Sequence, residues 1–251
     1  MDRDPGLFGP SNFRDLGGYQ SADGRNVGWR QVFRSDALRL SEADVVVMRD
    51  QLAIRSVVDL RAGFEFGHLE GGGKEVYVAR MAEVGARRFH LPMIDETRVV
   101  RQASDERPPA AKGYLKMLER GGDVLAELFA LLANPAHHPL VFHCAAGKDR
   151  TGIAAALLLG VLGVDDHTIV ADYGLSQPNM ARALAKIRAR PDAERILANR
   201  PLAAFEAPTD AVVGFVEAVH DVYGGWTAAA AAIGIDALTV ERLREILLTS
   251  E

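Results

Sequence analysis

The chain has 251 residues, 48% hydrophobic and 25% charged, with a formal net charge of −5. It is long enough to bury a full core without metal or disulfide staples, and it has no basic excess with which to neutralise a nucleic-acid backbone, so no nucleic-acid partner is expected. Its single cysteine excludes an intramolecular disulfide framework.

The first residues lack the basic start and apolar stretch of a signal peptide, and no run of about 18 apolar residues offers a transmembrane helix. The expectation is a monomer in the cytoplasm, with export without a cleaved signal left open.

Residues 1–30, rich in Gly, Asp and Asn, read as irregular. Val32 to Ser35 has the make-up of a short strand. Ser41 followed three residues later by Asp44 has the pattern of a capping box, opening a helix over Val45 to Leu52. Ile54 to Leu60 is a β-branched run and reads as a buried strand. Gly71 to Gly73 reads as a loop and Arg88 to Met93 as another strand. Residues 96–112, polar and Pro-containing, read as a mobile excursion. Tyr114 to Leu132 reads as a helix, Pro139 to His143 as a short strand and Thr151 to Leu162 as a strongly apolar helix. The remainder reads as helical, with a break at Arg200-Pro201, a turn at Gly224-Gly225, and helices over Ala228 to Ala232 and Thr239 to Leu248. Strands alternating with helices predict one α/β domain over 1–251.

The chemistry concentrates in Val141-Phe142-His143-Cys144-Ala145-Ala146-Gly147-Lys148-Asp149-Arg150-Thr151-Gly152. A strand delivers Cys144 to its C-terminal end, five residues intervene before Arg150, and a helix follows. Backbone N–H groups of a tight loop and the positive end of a helix together make an anion cradle. Ala145, Ala146, Gly147, Lys148, Asp149 and Arg150 are therefore the expected phosphate-binding residues.

A thiolate is the working nucleophile, and a helix N-terminus beside a cation favours it, which nominates Cys144. Arg150 offers a planar fork that matches two phosphate oxygens. Thr151 could donate its hydroxyl to the thiolate or assist hydrolysis of a phosphocysteine, and His143 is expected to orient the loop. A lone cysteine is usually an inert core residue. Such a residue has no use for an arginine six positions on, a glycine three on and a helix start behind them. A Walker loop fails because Gly147-Lys148 is followed by Asp149, and a zinc site fails for want of a second cysteine. No metal and no cofactor are expected.

The leaving oxygen needs a proton. Asp95, just beyond the strand containing Phe89 to Leu91, is one candidate. Asp149, within the loop itself, is the other; it could instead bind substrate or brace Arg150. Arg14, Asp15, Asp59 and Arg61 read as structural ion pairs. Arg182, Lys186, Arg188 and Arg190 read as a solvated helix face, with a docking patch for acidic lipid headgroups as the minority reading.

The loop resembles the His-Cys-x5-Arg-Thr/Ser-Gly signature of the protein tyrosine phosphatase superfamily. Further runs are similar to one bacterial branch of it, that of mycobacterial tyrosine phosphatase B and the Listeria lipid phosphatase. These are Asn12-Phe13-Arg14-Asp15-Leu16-Gly17-Gly18-Tyr19, Phe33-Arg34-Ser35, Val58-Asp59-Leu60-Arg61 with Glu65, Asp172-Tyr173 with Leu175-Ser176, and Tyr223-Gly224. The resemblance covers most of the chain. It implies a four- to five-stranded, largely parallel sheet flanked by helices, and metal-free hydrolysis of phosphate monoesters. Its implied substrates are phosphotyrosine proteins, with phosphoserine, phosphothreonine and phosphoinositide headgroups as further ones. Asp95 matches the Leu-Pro-x-x-Asp pattern of the branch, which puts it ahead of Asp149 as general acid, and the lid helices of the branch correspond loosely to residues 96–120. The competing readings are sulfur transfer or arsenate reduction on a similar loop, and a phospho-ligand-binding pseudophosphatase. The first has no need of Arg150-Thr151-Gly152, and the second should carry a damaged nucleophile or arginine.

Overall fold

A computed structural model describes residues 2–67, 73–93, 110–189, 191, 193–198 and 206–250. Asp95, the greater part of the 96–112 excursion, Arg190 and the Arg200-Pro201 break lie outside these residues.

The strands are β1 (Arg14–Asp15), β2 (Asn26–Val27), β3 (Val32–Ser35), β4 (Ser56–Asp59), β5 (Arg87–His90), β6 (Leu140–His143) and β7 (Leu248–Thr249). Five of them form one sheet in the order β1-β3-β6-β4-β5, with β1 antiparallel to β3 and every other pair parallel. β2 and β7 form a separate antiparallel pair. The expected α/β fold with a largely parallel sheet is the one observed.

Along β6, Leu140, Val141 and Phe142 are fully buried, because a central parallel strand is covered on both faces. Its side chains alternate between two cores. Val141 joins Phe33, Val57, Met48 and Tyr77 on one side, and Leu140 and Phe142 join Val32, Val58 and the larger cluster on the other.

The smaller core is roofed by α1 (Glu42–Val46) and by α3 (Gly73–Val84), which follows the single turn α2 (Phe64–Gly67). The capping box forms as expected: the Ser41 hydroxyl accepts the Asp44 N–H, and the Asp44 carboxylate accepts the Ser41 N–H. Beyond α1 the chain widens into a π turn over Val47–Gln51. α3 falls where the sequence shows only a glycine loop; Tyr77, Met81 and Val84 make its buried stripe.

The larger core is covered by α4 (Ala110–Arg120), α5 (Gly122–Leu132), α6 (Asp149–Val161), α7 (Asp166–Gly174), α8 (Ser176–Arg188), α9 (Ala193–Ala198), α10 (Thr209–Tyr223), α11 (Trp226–Ala232) and α12 (Ala237–Leu247). The single helix expected over Tyr114 to Leu132 is two helices. Gly121 interrupts it where a β-carbon would lie 2.7 Å from Met93 Cε.

Register fixes where the site lies. Ser35, Asp59 and His143 end their strands side by side, so Asp36, Leu60 and Cys144 leave the sheet from one edge. That edge, beyond the carboxyl ends of parallel strands, is where open α/β sheets bind ligands.

Candidate active site

The chain leaves β6 at Cys144, turns through Ala145 to Lys148, and enters α6. Gly147 makes the turn at φ +66°, and a β-carbon there would stand 2.5 Å from the Asp36 nitrogen. Only glycine permits both the conformation and the approach to the end of β3.

The carbonyls of this loop are taken from behind. Ala145 O accepts from the Ala37 N–H at 3.2 Å. Asn12 Nδ2 donates to Ala146 O at 3.2 Å and Gly147 O at 3.1 Å, and Arg34 Nη2 donates to Gly147 O at 2.9 Å. Among the described residues no partner is found for the backbone N–H groups of Ala145, Ala146, Gly147 and Lys148. Lys148 is the N-cap of α6 and makes no side-chain cap, so the positive end of that helix is open as well.

Beneath the loop lies a buried charge cluster. Arg14 Nε stands 3.0 Å and Arg34 Nη1 2.6 Å from the Asp172 carboxylate, and the Tyr19 hydroxyl donates to it at 3.0 Å. Burial works to raise the pKa of Asp172, but Arg14 and Arg34 outweigh it and hold it well below the usual carboxylate range. Burial, with the Arg14 charge alongside, outweighs the pull of Asp172 and lowers the Arg34 pKa to about 10. Arg14 thus pairs with Asp172 rather than with its neighbour Asp15. Asp59 and Arg61 do pair, at 2.6 Å.

Arg150 is gripped by Glu65, its two terminal nitrogens 2.5 and 2.7 Å from the two carboxylate oxygens, with Leu60 O a further acceptor at 3.2 Å. Burial opposes the Arg150 charge, but Cys144 and Glu65 outweigh it and raise its pKa. His143 is fully buried, 2.9 Å from the Tyr77 hydroxyl and 3.7 Å from Asp59. Burial pushes its pKa down to about 4, so its ring is neutral near pH 7. The Thr151 hydroxyl is buried and unpartnered among the described residues, a donor left over beside the loop.

A cavity of about 560 Å³ opens onto Cys144, Ala145, Ala146, Lys148, Asp149, Arg150 and Glu65. One wall is apolar, made by Phe8, Ala37, Met180, Ala183 and Ile187, and the rim carries Arg39 and Lys186. The basic run on α8 is therefore more than a solvated face. Lys186 Nζ donates to the carbonyls of Phe8 and Gly9, and Arg182 to that of Ser11, clamping the N-terminal segment along the pocket. The Lys148 ammonium turns to the Glu206 carbonyl, 2.8 Å away.

The structure brings Cys144, Arg150, Asp149 and the loop amides to one cavity. Behind the loop and beside Arg150 it also adds Asn12, Arg34, Glu65 and Asp172, which sequence analysis met only as resemblance or as parts of motifs. Among the described residues no group of three or more His, Cys, Asp or Glu side chains gathers to hold a metal, and no helix is long and apolar enough to cross a membrane.

A family model described as "Tyrosine phosphatase family" matches residues 6–249. A protein of Cupriavidus necator named as a tyrosine-protein phosphatase is 36% identical over 168 residues, which is 65% of this chain and 59% of that protein's length. The triple specificity protein phosphatase PtpB of Mycobacterium tuberculosis is 29% identical, covering 96% of this chain and 98% of that one. Among solved structures, the core catalytic domain of the PP-IP phosphatase SIW14 from S. cerevisiae superposes with a TM-score of 0.43 at 16% identity, covering 80% of this chain and 91% of that one.

Proposed function

From the premise that this chain belongs to the tyrosine phosphatase family, we propose that it hydrolyses phosphate monoesters, foremost those of phosphotyrosine proteins, through a phosphocysteine intermediate on Cys144. One observation carries the reading: a loop whose carbonyls are bonded from behind and whose N–H groups are unspent, with a thiol and an arginine facing the same cavity. Such a loop is a ready acceptor for three non-bridging phosphate oxygens.

In the first step Cys144 Sγ attacks phosphorus in line while the P–O bond to the leaving group breaks and a carboxyl supplies its proton. In the second, water attacks phosphorus, the S–P bond breaks, and the carboxylate takes the proton from water. Arg150, held flat by Glu65, and the loop amides follow the equatorial oxygens throughout. Asp95 and Asp149 are the carboxyl candidates, and Asp149 lines the cavity.

The apolar wall favours an aryl phosphate, and the basic rim of Arg39, Lys148 and Lys186 favours multiply anionic esters, phosphoinositides among them. A relative is named a triple specificity phosphatase, so the test spans three classes. Wild type and Cys144→Ser are assayed on phosphotyrosine peptide, phosphoserine peptide and singly phosphorylated phosphoinositides. We expect hydrolysis of the phosphotyrosine peptide by wild type, none by Cys144→Ser, and retained binding of the peptide by the variant. More than a few per cent residual turnover in Cys144→Ser would remove the thiol as nucleophile.

A further inference from the structure

The Asp149 carboxyl borders the cavity, 39% exposed, and stands in the first turn of α6. Its Oδ1 accepts the Tyr114 hydroxyl at 2.6 Å, and the Tyr114 hydroxyl oxygen is itself 2.6 Å from that of Tyr173. Because the Tyr114 proton goes to Asp149, Tyr173 is the donor to Tyr114, and the three groups form one directed chain. Among the described residues Oδ2 has no hydrogen-bond partner.

The chain is built in from three helices. Tyr173 comes from α7, and its ring lies against α6 at Gly152, where a β-carbon would stand 3.1 Å from it. The last glycine of the sequence motif is thus the seat of this ring. Tyr114 comes from α4 and is itself braced edge-on by Phe215 of α10, with ring centroids 6.1 Å apart at 85°. Both hydroxyls are buried, and burial pushes the tyrosine pKa up, to about 12 for Tyr173, so both remain proton donors at any working pH.

We propose that Tyr114, backed by Tyr173, is the positioning residue that holds Oδ1 of Asp149 and leaves Oδ2 facing the substrate as the proton carrier. Oδ2–H passes its proton to the leaving oxygen as the P–O bond breaks, and Oδ2 recovers one from the attacking water as the S–P bond breaks. A carboxyl free to rotate about two torsions would seldom present that oxygen; a fixed one saves the ordering during the reaction. The inference rests on the phosphatase reading and deepens it.

The test uses full-length wild type, Tyr114→Phe, Asp149→Asn, the double variant and Asp95→Asn. Each is assayed on phenyl phosphate, whose leaving group needs a proton, and on 4-nitrophenyl phosphate, whose leaving group does not. Orthovanadate inhibition reports the phosphate cradle separately. Expected for Asp149→Asn is a loss on phenyl phosphate in the general-acid range of roughly 10²–10⁴-fold, with a much smaller loss on the activated ester. Tyr114→Phe should show the same selectivity at roughly ten- to a hundredfold, the worth of one hydrogen bond to a charged group, with vanadate inhibition unchanged. In the Asp149→Asn background it should add nothing.

Equal losses on both esters, additive effects in the double variant, or a selective loss in Asp95→Asn but not in Asp149→Asn would each overturn the proposal. If Tyr114→Phe does not fold, Tyr173→Phe, whose ring stays on Gly152, carries the same comparison. Were Cys144→Ser to retain activity, the phosphatase reading itself would fall; an inactive Cys144→Ser beside an unselective Tyr114→Phe would sink only this inference.

Discussion

Lys148 stands within the loop, yet its ammonium reaches sideways to a neutral carbonyl oxygen of Glu206 and sits 3.7 Å from Asp149. A carbonyl fixes the position of an ammonium without cancelling its charge, so a cation remains fixed at the cavity wall. Lys148→Ala should therefore lower kcat/KM for a singly phosphorylated phosphoinositide several-fold to about tenfold more than for phenyl phosphate, with the difference shrinking as salt rises. Parallel losses measured on the two substrates would make Lys148 a brace for the loop and nothing more. At this scale the sequence was readable where chemistry dictates spacing: Cys144, Gly147 and Arg150 can be placed because an anion cradle needs a glycine three residues and an arginine six residues after the cysteine, at the start of a helix. Arg34, Asp172 and Glu65 were not readable as parts of the site. Each acts across more than 80 residues of chain, and nothing in a local pattern distinguishes a charge that will be buried from one that will face water.

Asp44 joins two elements that the sequence presents separately. Its carboxylate completes the capping box of α1 and also accepts the N–H groups of Phe8, at 2.7 Å, and Gly9, at 3.0 Å, from the segment that walls the cavity. These backbone donors hold its pKa below the usual range against the effect of burial. Asp44→Ala removes a helix cap and takes the acceptor from those part-buried backbone donors, which should cost about 1–3 kcal/mol. It should also raise KM for phosphotyrosine peptide more than it lowers kcat, because the Phe8 wall loses its anchor while the loop keeps its own. Thermal unfolding and peptide kinetics on the same preparation check both; an unchanged KM would detach the wall from substrate binding. The capping box was visible in Ser41 and Asp44, as were β3, β4 and β6 in their apolar runs. α3 was hidden by Val76-Tyr77-Val78, whose β-branched and aromatic character favours a strand, while its true stripe at Tyr77, Met81 and Val84 is paced for a helix. Packing on the smaller core outweighs the local preference.

For the molecule as a whole, the buried charges set how it meets acid. His143 shifts from 6.5 to about 4 on burial, so the unfolded chain takes up a proton that the folded one refuses. Its contribution, at most of order 3 kcal/mol, is complete above pH 6.5 and drains away as pH falls toward 4. Asp59, lowered from 3.8 to about 2 because His143 and Arg61 outweigh its burial, adds a second loss below pH 4, as do Asp172 and Glu65, also shifted down. Asp15 and Asp36 act in the opposite sense, since burial raises them and their contribution is lost as pH rises. Urea midpoints should fall in two stages between pH 7 and pH 3, and His143→Gln should flatten the first. A midpoint constant from pH 7 to 4.5 would show that the His143 ring is more accessible than its burial implies.

The buried pairing of Arg34 with Asp172 spans 138 residues. At a synthesis rate of about 5–20 residues per second, Arg34 leaves the peptidyl transferase centre roughly 7 to 28 s before Asp172, its carboxylate partner among the described residues. Once Arg150 has been made, the nascent chain holds the whole motif but still lacks the carboxylate that pairs with Arg34 behind Gly147. A chain ending before Asp172 should therefore carry the whole Cys-x5-Arg motif yet fail to bind orthovanadate, and titration of such a truncation with orthovanadate checks it.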